Sequence, residues 1–363
     1  MVLHTLDQFE ISTAQESYLQ DQLNKVSRSF ALVIPFVENP LRNYLAASYL
    51  LCRVVDNIED CLHSPLEKEK RFAEFSELLQ TPQRAAEVLS LWGKKDWAGL
   101  TDFEERIMGV QEGRMLWEIY AAIPSDERAV IRHWVSVMAE GMRQLNNPTT
   151  RPYLINRRGI QVLETKVDYD AYCYFVAGTV GHLATELVVQ HYSIPNEIAA
   201  VLRAGAEACG RSLQKTNIIK DFVEDLERGI CYLPDAWLRE ADLAPLALQG
   251  ASLEWTAMVL NDVLEELRDA TDYLLALPYH AAGYRRASLL CLLPAYETIH
   301  LAAKNAAILF TPAHQFKISR LTMARCLADS EAMLFDNSAI DAYSRRQTKA
   351  IQNDLLARVS LQA

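Results

Sequence analysis

Two short acidic clusters carry the sharpest chemical signal in the chain. The first is Asp56, Glu59 and Asp60, preceded by Arg53; the second is Asp221, Glu224 and Asp225, preceded by Lys220 and Asn217. On a helix, residues at i, i+3 and i+4 share one face, so each cluster aims two or three carboxylates in one direction. Hard oxygen donors of this kind suit Mg2+, which takes a few carboxylates, several waters and the oxygens of a phosphate-bearing substrate. Two such faces across a cavity would grip the cation between protein and diphosphate. Asn217, Asp221 and Asp225 form an i, i+4, i+8 stripe, which places Asn217 on the same face.

Spacing alone does not make a metal site. With 47 acidic residues in 363 positions, a loose acidic-x-x-acidic-acidic pattern arises roughly once by chance. Asp262, Glu265 and Glu266 supply such a match among Arg268, Asp269 and Asp272, and they read as an ordinary solvated helix face. The other two clusters differ in context. Asp56 ends a mostly apolar run from Leu50 to Val55, and Asp221 follows Ile218, Ile219 and Lys220. Carboxylates entering apolar helices are costly unless paired or metal-bound.

The elements that must position these groups are helices. Apolar residues recur at 3.6-type spacing, predicting helices around Tyr44–Val55, Asp126–Leu145 with Ser125 as N-cap, Asp168–Tyr192, Glu197–Glu227, Leu253–Leu277, Arg285–Phe310 and Arg320–Phe335. Gly and Pro number only 13 each, which disfavours a turn-rich β architecture. No alternating strand pattern is sustained, and no linker or composition shift marks a boundary. The reading is one all-α domain over residues 1–363. A net charge of −11 without a cationic run argues against nucleic acid as a partner. The seven cysteines are odd in number and lack CxxC spacing, as expected of free thiols in a reducing cytoplasm. The start has no signal-peptide pattern. No uninterrupted apolar stretch of ~20 residues predicts a spanning helix; the longest candidate, Ala287–Phe310, reads as a core helix or two.

At these residues the sequence resembles the squalene/phytoene synthase family, and within it the bacterial squalene-forming members. The likeness runs from Leu23 to about Phe335 through Ser27-Arg28-Ser29-Phe30, Arg53–Asp60, Tyr172–Gly181, Gln214–Asp225 and Tyr232-Leu233-Pro234. It implies an all-α isoprenoid-synthase fold with a central active-site cavity. It also implies roles: Asp56, Asp60, Asp221 and Asp225 binding Mg2+ with Glu59 and Glu224 in support; Tyr49 and Arg53 holding diphosphate; Ser27, Arg28, Ser29 and Phe30 as a flap-like segment; and Tyr172 acting near a carbocation. Gln214, Leu290 and Cys291 match substrate-lining wording. Lys220 stands where eukaryotic members carry Arg, which loses a bidentate fork, and Arg228 substitutes for a basic residue usual near Ile230.

The implied reaction is head-to-head condensation of two farnesyl diphosphates to presqualene diphosphate, followed by reduction to squalene with NADPH, as in sterol or hopanoid biosynthesis. Lys317 and Arg320 resemble a basic segment that contacts NADPH phosphate, and Asn217 would orient the cofactor. Endings without NADPH, giving dehydrosqualene, phytoene or an alcohol, separate the close relatives; a helical lipid-binding protein without catalysis is the reading of another class. The resemblance further implies a cytoplasmic protein touching membranes peripherally. Plainer readings exist for several of these residues. Tyr172 could be a core tyrosine, Arg53 an intrahelical partner of Asp56 or Glu59, Ser27 and Ser29 helix caps, and Gly178 and Gly181 sites of close helix packing.

Overall fold

A computed structural model describes residues 11–27, 29–147, 154–311 and 316–362. The chain divides into two compact units, residues 1–148 with 186–193, and residues 149–185 with 194–363.

The first unit contains α1 (Thr13–Val26), α2 (Phe30–Val33), α3 (Leu41–Asp60), α4 (Pro65–Gln80), α5 (Ala85–Trp92), α6 (Asp102–Ile107), α7 (Val110–Ala122) and α8 (Ser125–Asn146). Helix α3 is its centre. Leu41, Ala47, Leu50, Leu51, Val54, Val55 and Ile58 are all buried, so the apolar stripe seen in the sequence is the core-facing side. The acidic cluster lies on the side less deeply buried. Helix α8 begins one residue earlier than predicted, with Pro124 as N-cap and Ser125 as its first residue. A proline there loses no intrahelical hydrogen bond, since the first N–H groups have no acceptor in any case.

The second unit opens with strands β1 (Leu154–Arg157) and β2 (Ile160–Leu163), then α9 (Lys166–Cys173), a π-helical turn (Tyr174–Gly178) and α10 (Thr179–His191), whose last residues belong to the first unit. There follow α11 (Asn196–Lys220), α12 (Phe222–Glu227), β3 (Ile230–Cys231), α13 (Asp235–Glu240), α14 (Leu253–Ala276), α15 (Ala282–Lys304), α16 (Arg320–Ala332) and α17 (Asn337–Gln362). The small sheet was not foreseen. Its antiparallel β1–β2 hairpin turns through Arg158 and Gly159, both at positive φ, and β3 pairs parallel to β2 at Gln161–Ile230 and Val162–Cys231. Strands this short carry too few residues for a period-2 signal. The helix predicted over Glu197–Glu227 divides at Asp221, whose backbone (φ −101°, ψ 10°) leaves the helical region.

Helix α11 packs against the π turn and α10 at glycine positions. A Cβ at Gly210 would stand 1.9 Å from the Ala177 carbonyl oxygen, and one at Gly181 would stand 2.1 Å from that of Ala206. The continuous run Lys166–His191 is long and apolar enough, by length and composition, to cross a membrane, and half of that window is buried inside the protein. All seven cysteines are free.

One sequence reading is corrected outright. Asp262 and Glu266 are not a solvated face. Glu266 is buried, and both carboxylates meet Lys215, itself 1% exposed. The cations that satisfy them come from α9 and α11, elements remote in sequence, so local composition gave no hint of the pairing.

Replacing a mid-helix glycine by alanine ordinarily stabilises by up to about 1 kcal/mol. Here the sign should reverse. Gly210→Ala should cost at least about 2 kcal/mol through backbone displacement, whereas Gly250→Ala, with nothing within 4 Å of the added methyl, should stay within about 0.5 kcal/mol. Chemical denaturation of the two variants checks the contrast.

Candidate active site

In the first unit the sequence stripe Tyr49, Arg53, Asp56 and Asp60 follows one side of α3. Phe30, the first residue of α2, lays its ring 4.9 Å from that of Tyr49. Ser27 hydrogen-bonds the Tyr49 phenol and also accepts from the Phe30 amide at 3.0 Å. Ser27 is therefore the functional cap of α2, while Ser29 at the N-cap position makes no side-chain cap bond. The structure thus brings Ser27, Phe30, Tyr49, Arg53 and Asp56 together; Arg28 lies outside the described residues. Burial pushes the Tyr49 phenol's pKa upward.

Arg53 contacts Asp56 at 3.7 Å and, more closely, Glu104 of α6. Sequence reasoning missed Glu104. It is placed by a capping box, in which the Thr101 hydroxyl accepts from the Glu104 amide and the Glu104 carboxylate accepts from Thr101 N at 2.9 Å and Oγ1 at 2.8 Å. Asn57 Nδ2 donates to the Glu104 carbonyl at 3.1 Å, which ties α6 to α3. The T-x-x-E signature was legible at Thr101, but its link to Arg53 was not. Burial alone would raise the Glu104 pKa; the Thr101 hydrogen bonds and the Arg53 charge outweigh it and hold the carboxyl below its usual range.

Asp56 behaves oppositely. Burial pushes its pKa up to about 7; Arg53 opposes this, while Asp60, Glu59 and Glu104 add to it. Its side chain keeps a quarter of its surface exposed, and water at that edge screens part of the cost. Among the described residues, no group of three or more His, Cys, Asp or Glu side chains is gathered tightly enough to hold a metal alone. The donors nonetheless fit a cation that completes its sphere with water and phosphate oxygens: they are all carboxylates, and Asp56 is a desolvated one short of positive charge.

In the second unit the cluster straddles the Asp221 break. Asp221 N still donates to Asn217 O, and Asp225 N to Asp221 O, so the ladder from Asn217 to Asp225 continues through the kink. Lys220 Nζ donates to Asn217 Oδ1 at 2.8 Å and contacts Asp221 at 3.1 Å. Phe222 is buried, its ring 5.0 Å from Phe310, which anchors α12. Lys317 lies 3.5 Å from Glu224, so one of the two predicted phosphate-contacting cations already meets the acidic cluster. Arg320 opens α16 and is exposed, as is Arg228 at the end of α12, where Gly229 (φ +84°) turns the chain into β3. Tyr172 is 7% exposed and stacks on Tyr232, with centroids 4.5 Å apart and planes at 19°. Gln214 is half-buried on α11; Leu290 is buried and Cys291 half-buried on α15.

Comparison with known proteins gives a consistent result. A family model described as squalene/phytoene synthase matches residues 23–322. A squalene synthase of Saccharomyces cerevisiae is 28% identical over 357 residues, covering 94% of this chain and 73% of the relative. One from Cyberlindnera jadinii is 28% identical over 86% of this chain, which spans 66% of that relative's length. A solved complex of TcSQS with the ligand BPH1237 superposes with a TM-score of 0.75 at 24% identity, covering 95% of this chain and 92% of that one, and shares the fold.

The Asp56 shift has a definite sign. Its folded pKa stands above the ordinary value near 4, so the folded protein binds a proton that the unfolded chain has released, and ionisation costs stability as pH rises from about 4 towards 7. In chelator, Asp56→Asn should therefore melt above the parent at pH 8, and that advantage should shrink steadily down to pH 4. Melting curves at four or five pH values decide it; an advantage that grows on acidification would contradict the reading.

Proposed function

Because the chain belongs to the squalene/phytoene synthase family, a family of prenyl-transferring enzymes, we propose that it joins two farnesyl diphosphates head to head to presqualene diphosphate and then reduces this to squalene with NADPH. The observation that carries the reading is the charge balance around Asp56. Arg53 acts on Asp56 against three neighbouring carboxylates, Glu59, Asp60 and Glu104, while Lys68 donates to the Glu59 carbonyl at the edge of the cluster. A face so negative repels a diphosphate unless multivalent cations stand between them. Asp56, Glu59 and Asp60 would hold Mg2+ on one unit, and Asp221, Glu224 and Asp225 on the other. Mg2+, when bound, neutralises charge on the leaving diphosphate.

The chain's own residues do the rest. Arg53 and Tyr49 orient one diphosphate, with Ser27, Ser29 and Phe30 covering the allylic chain. Lys220, Gln214 and Arg228 serve the other. The first farnesyl group ionises, the double bond of the second attacks the allylic cation, and proton loss to the released diphosphate closes the cyclopropane. The Tyr172 ring face stabilises the cation, and apolar neighbours such as Leu290 and Cys291 exclude the water that would quench it. A second ionisation opens the ring. Lys317, Arg320 and Asn217 would hold NADPH, which would supply the hydride. The enzyme acts in the cytoplasm with peripheral membrane contact, since the product is insoluble in water. One observation favours a second reading: Lys317 is engaged by Glu224, and an ending without NADPH would leave that contact in place.

Incubation of purified protein with farnesyl diphosphate and Mg2+ distinguishes these readings. We expect squalene with NADPH, and presqualene diphosphate or dehydrosqualene without it. The same product in both mixtures would remove the reductive half. Asp56→Asn or Asp221→Asn should cut turnover at least ~100-fold, the scale of a lost electrostatic group; unchanged turnover in excess chelator would remove the metal. Lys317→Ala with Arg320→Ala should raise the NADPH requirement and leave presqualene diphosphate formation nearly intact.

A further inference from the structure

Three helices of the second unit meet at a set of charges, buried at Lys215 and Glu266 and partly exposed at Lys166, Asp170, Glu207 and Arg211, that the reaction does not directly use. Lys215 of α11 hydrogen-bonds Glu266 at 2.9 Å and makes ion contacts with Asp262 at 2.8 Å and Asp170 at 3.0 Å. Lys166 reaches Asp170 at 2.5 Å and Asp262 at 2.9 Å. Arg211 grips Glu266 with two nitrogens, at 2.5 and 3.2 Å, and contacts Glu207 at 2.6 Å. Three cations thus meet four carboxylates. Lys215 Nζ also lies 5.1 Å over the Tyr169 ring. Burial alone would lower the lysine's pKa; Asp262 and Glu266 outweigh it and the net shift is upward, so the ammonium stays charged.

Resting on the reading of Tyr172 given above, we propose that this cluster is a positioning device for the reaction. It sets the rotation of α9, which carries Tyr172, against α11, which carries Asn217 and leads through Asp221 into the rest of the second acidic cluster on α12. The angular argument is direct. At 100° per residue, Asp170 and Tyr172 lie about 200° apart on α9, and Lys215 and Asn217 lie about 200° apart on α11. Burial agrees on α11, where Lys215 is enclosed and Asn217 exposed. Clamping the back of each helix therefore fixes where its front residues aim. Hydrophobic contacts alone would resist separation of the helices but would tolerate rotation; bonds to three carboxylates on two other helices resist both. The π turn begins two residues after Tyr172, so the α-helical register of α9 is not carried unbroken into α10. The cluster supplies that constraint.

The test is a double-mutant cycle on the full-length protein, reading steady-state turnover of farnesyl diphosphate and melting temperature. Asp262→Asn is isosteric and leaves three cations with three carboxylates, so the fold should hold. We expect kcat to fall at least ~10-fold with KM for farnesyl diphosphate changed less than about twofold. In a Tyr172→Leu background, which removes the ring, the same substitution should change kcat less than about twofold, because the two act through one group. Multiplicative losses, or full kcat in Asp262→Asn, would overturn the proposal and leave a purely structural cluster. Full turnover in Tyr172→Leu alone would overturn both the proposal and the placement of Tyr172 at the reaction. Glu266→Gln, which removes a different carboxylate from the same lysine, runs the same cycle if Asp262→Asn does not fold.

Discussion

The cost of taking carboxylates out of water governs both units of this protein. Helices α3 and α14, and the run from α11 into α12, are apolar enough to be core elements, yet each carries acidic residues at i, i+3 and i+4. A desolvated carboxylate must find a cation, accept hydrogen bonds or take a proton. At Asp262 and Glu266 the first solution is complete, with Lys215, Lys166 and Arg211 bound at short range. At Asp56 it is incomplete, and the carboxyl compensates by holding its proton to about pH 7. The same local pattern has opposite chemistry in the two places, and the difference lies in what neighbouring helices deliver.

That contrast explains what could be read from the sequence. Helices α3 and α11 were legible because burial imposes a 3.6-residue rhythm on their apolar positions. Asp56, Glu59 and Asp60 were legible as one acidic face for the same reason, Tyr49 and Arg53 only through the family resemblance, and Ser27 as a cap alongside Ser29, which makes no cap bond. Glu104 and Lys215 were not, because their roles depend on pairings about 50 residues away in sequence, at Arg53 and at Glu266. The unit boundary was also hidden. It crosses α10, within a helical run where no composition shift occurs.

The irregular backbone of the second unit adjoins Tyr172, Tyr232 and the second acidic cluster. The π turn follows Tyr172, β3 precedes Tyr232, and the Asp221 break interrupts the cluster itself. None has a strong local propensity signal; each is imposed by packing. Gly210 and Gly181 let α11 touch the backbone of the preceding run closely enough that no side chain fits. Gly229 at positive φ turns α12 into β3. The parallel pairing of β3 on β2 then delivers Tyr232 to its stack on Tyr172. These departures from ideal geometry concentrate around Tyr172 and the second acidic cluster, the residues we propose face the reactive intermediate, and strain is tolerated at functional sites.

Stability and function therefore divide the acidic residues between them. A carboxylate with its own protein cation contributes to a rigid scaffold but has nothing left to offer a ligand. A carboxylate left short of positive charge costs stability and keeps its affinity for one. Arg53 illustrates the balance, since Glu104 takes much of its charge while Asp56 stands farther away at 3.7 Å. Had Arg53 turned wholly to Asp56, the face would be more stable and less hungry for a cation. Glu104, fixed by its capping box to Thr101, prevents this. A helix cap on α6 thereby sets the charge deficit on α3, and the deficit is the feature a metal–diphosphate complex would satisfy.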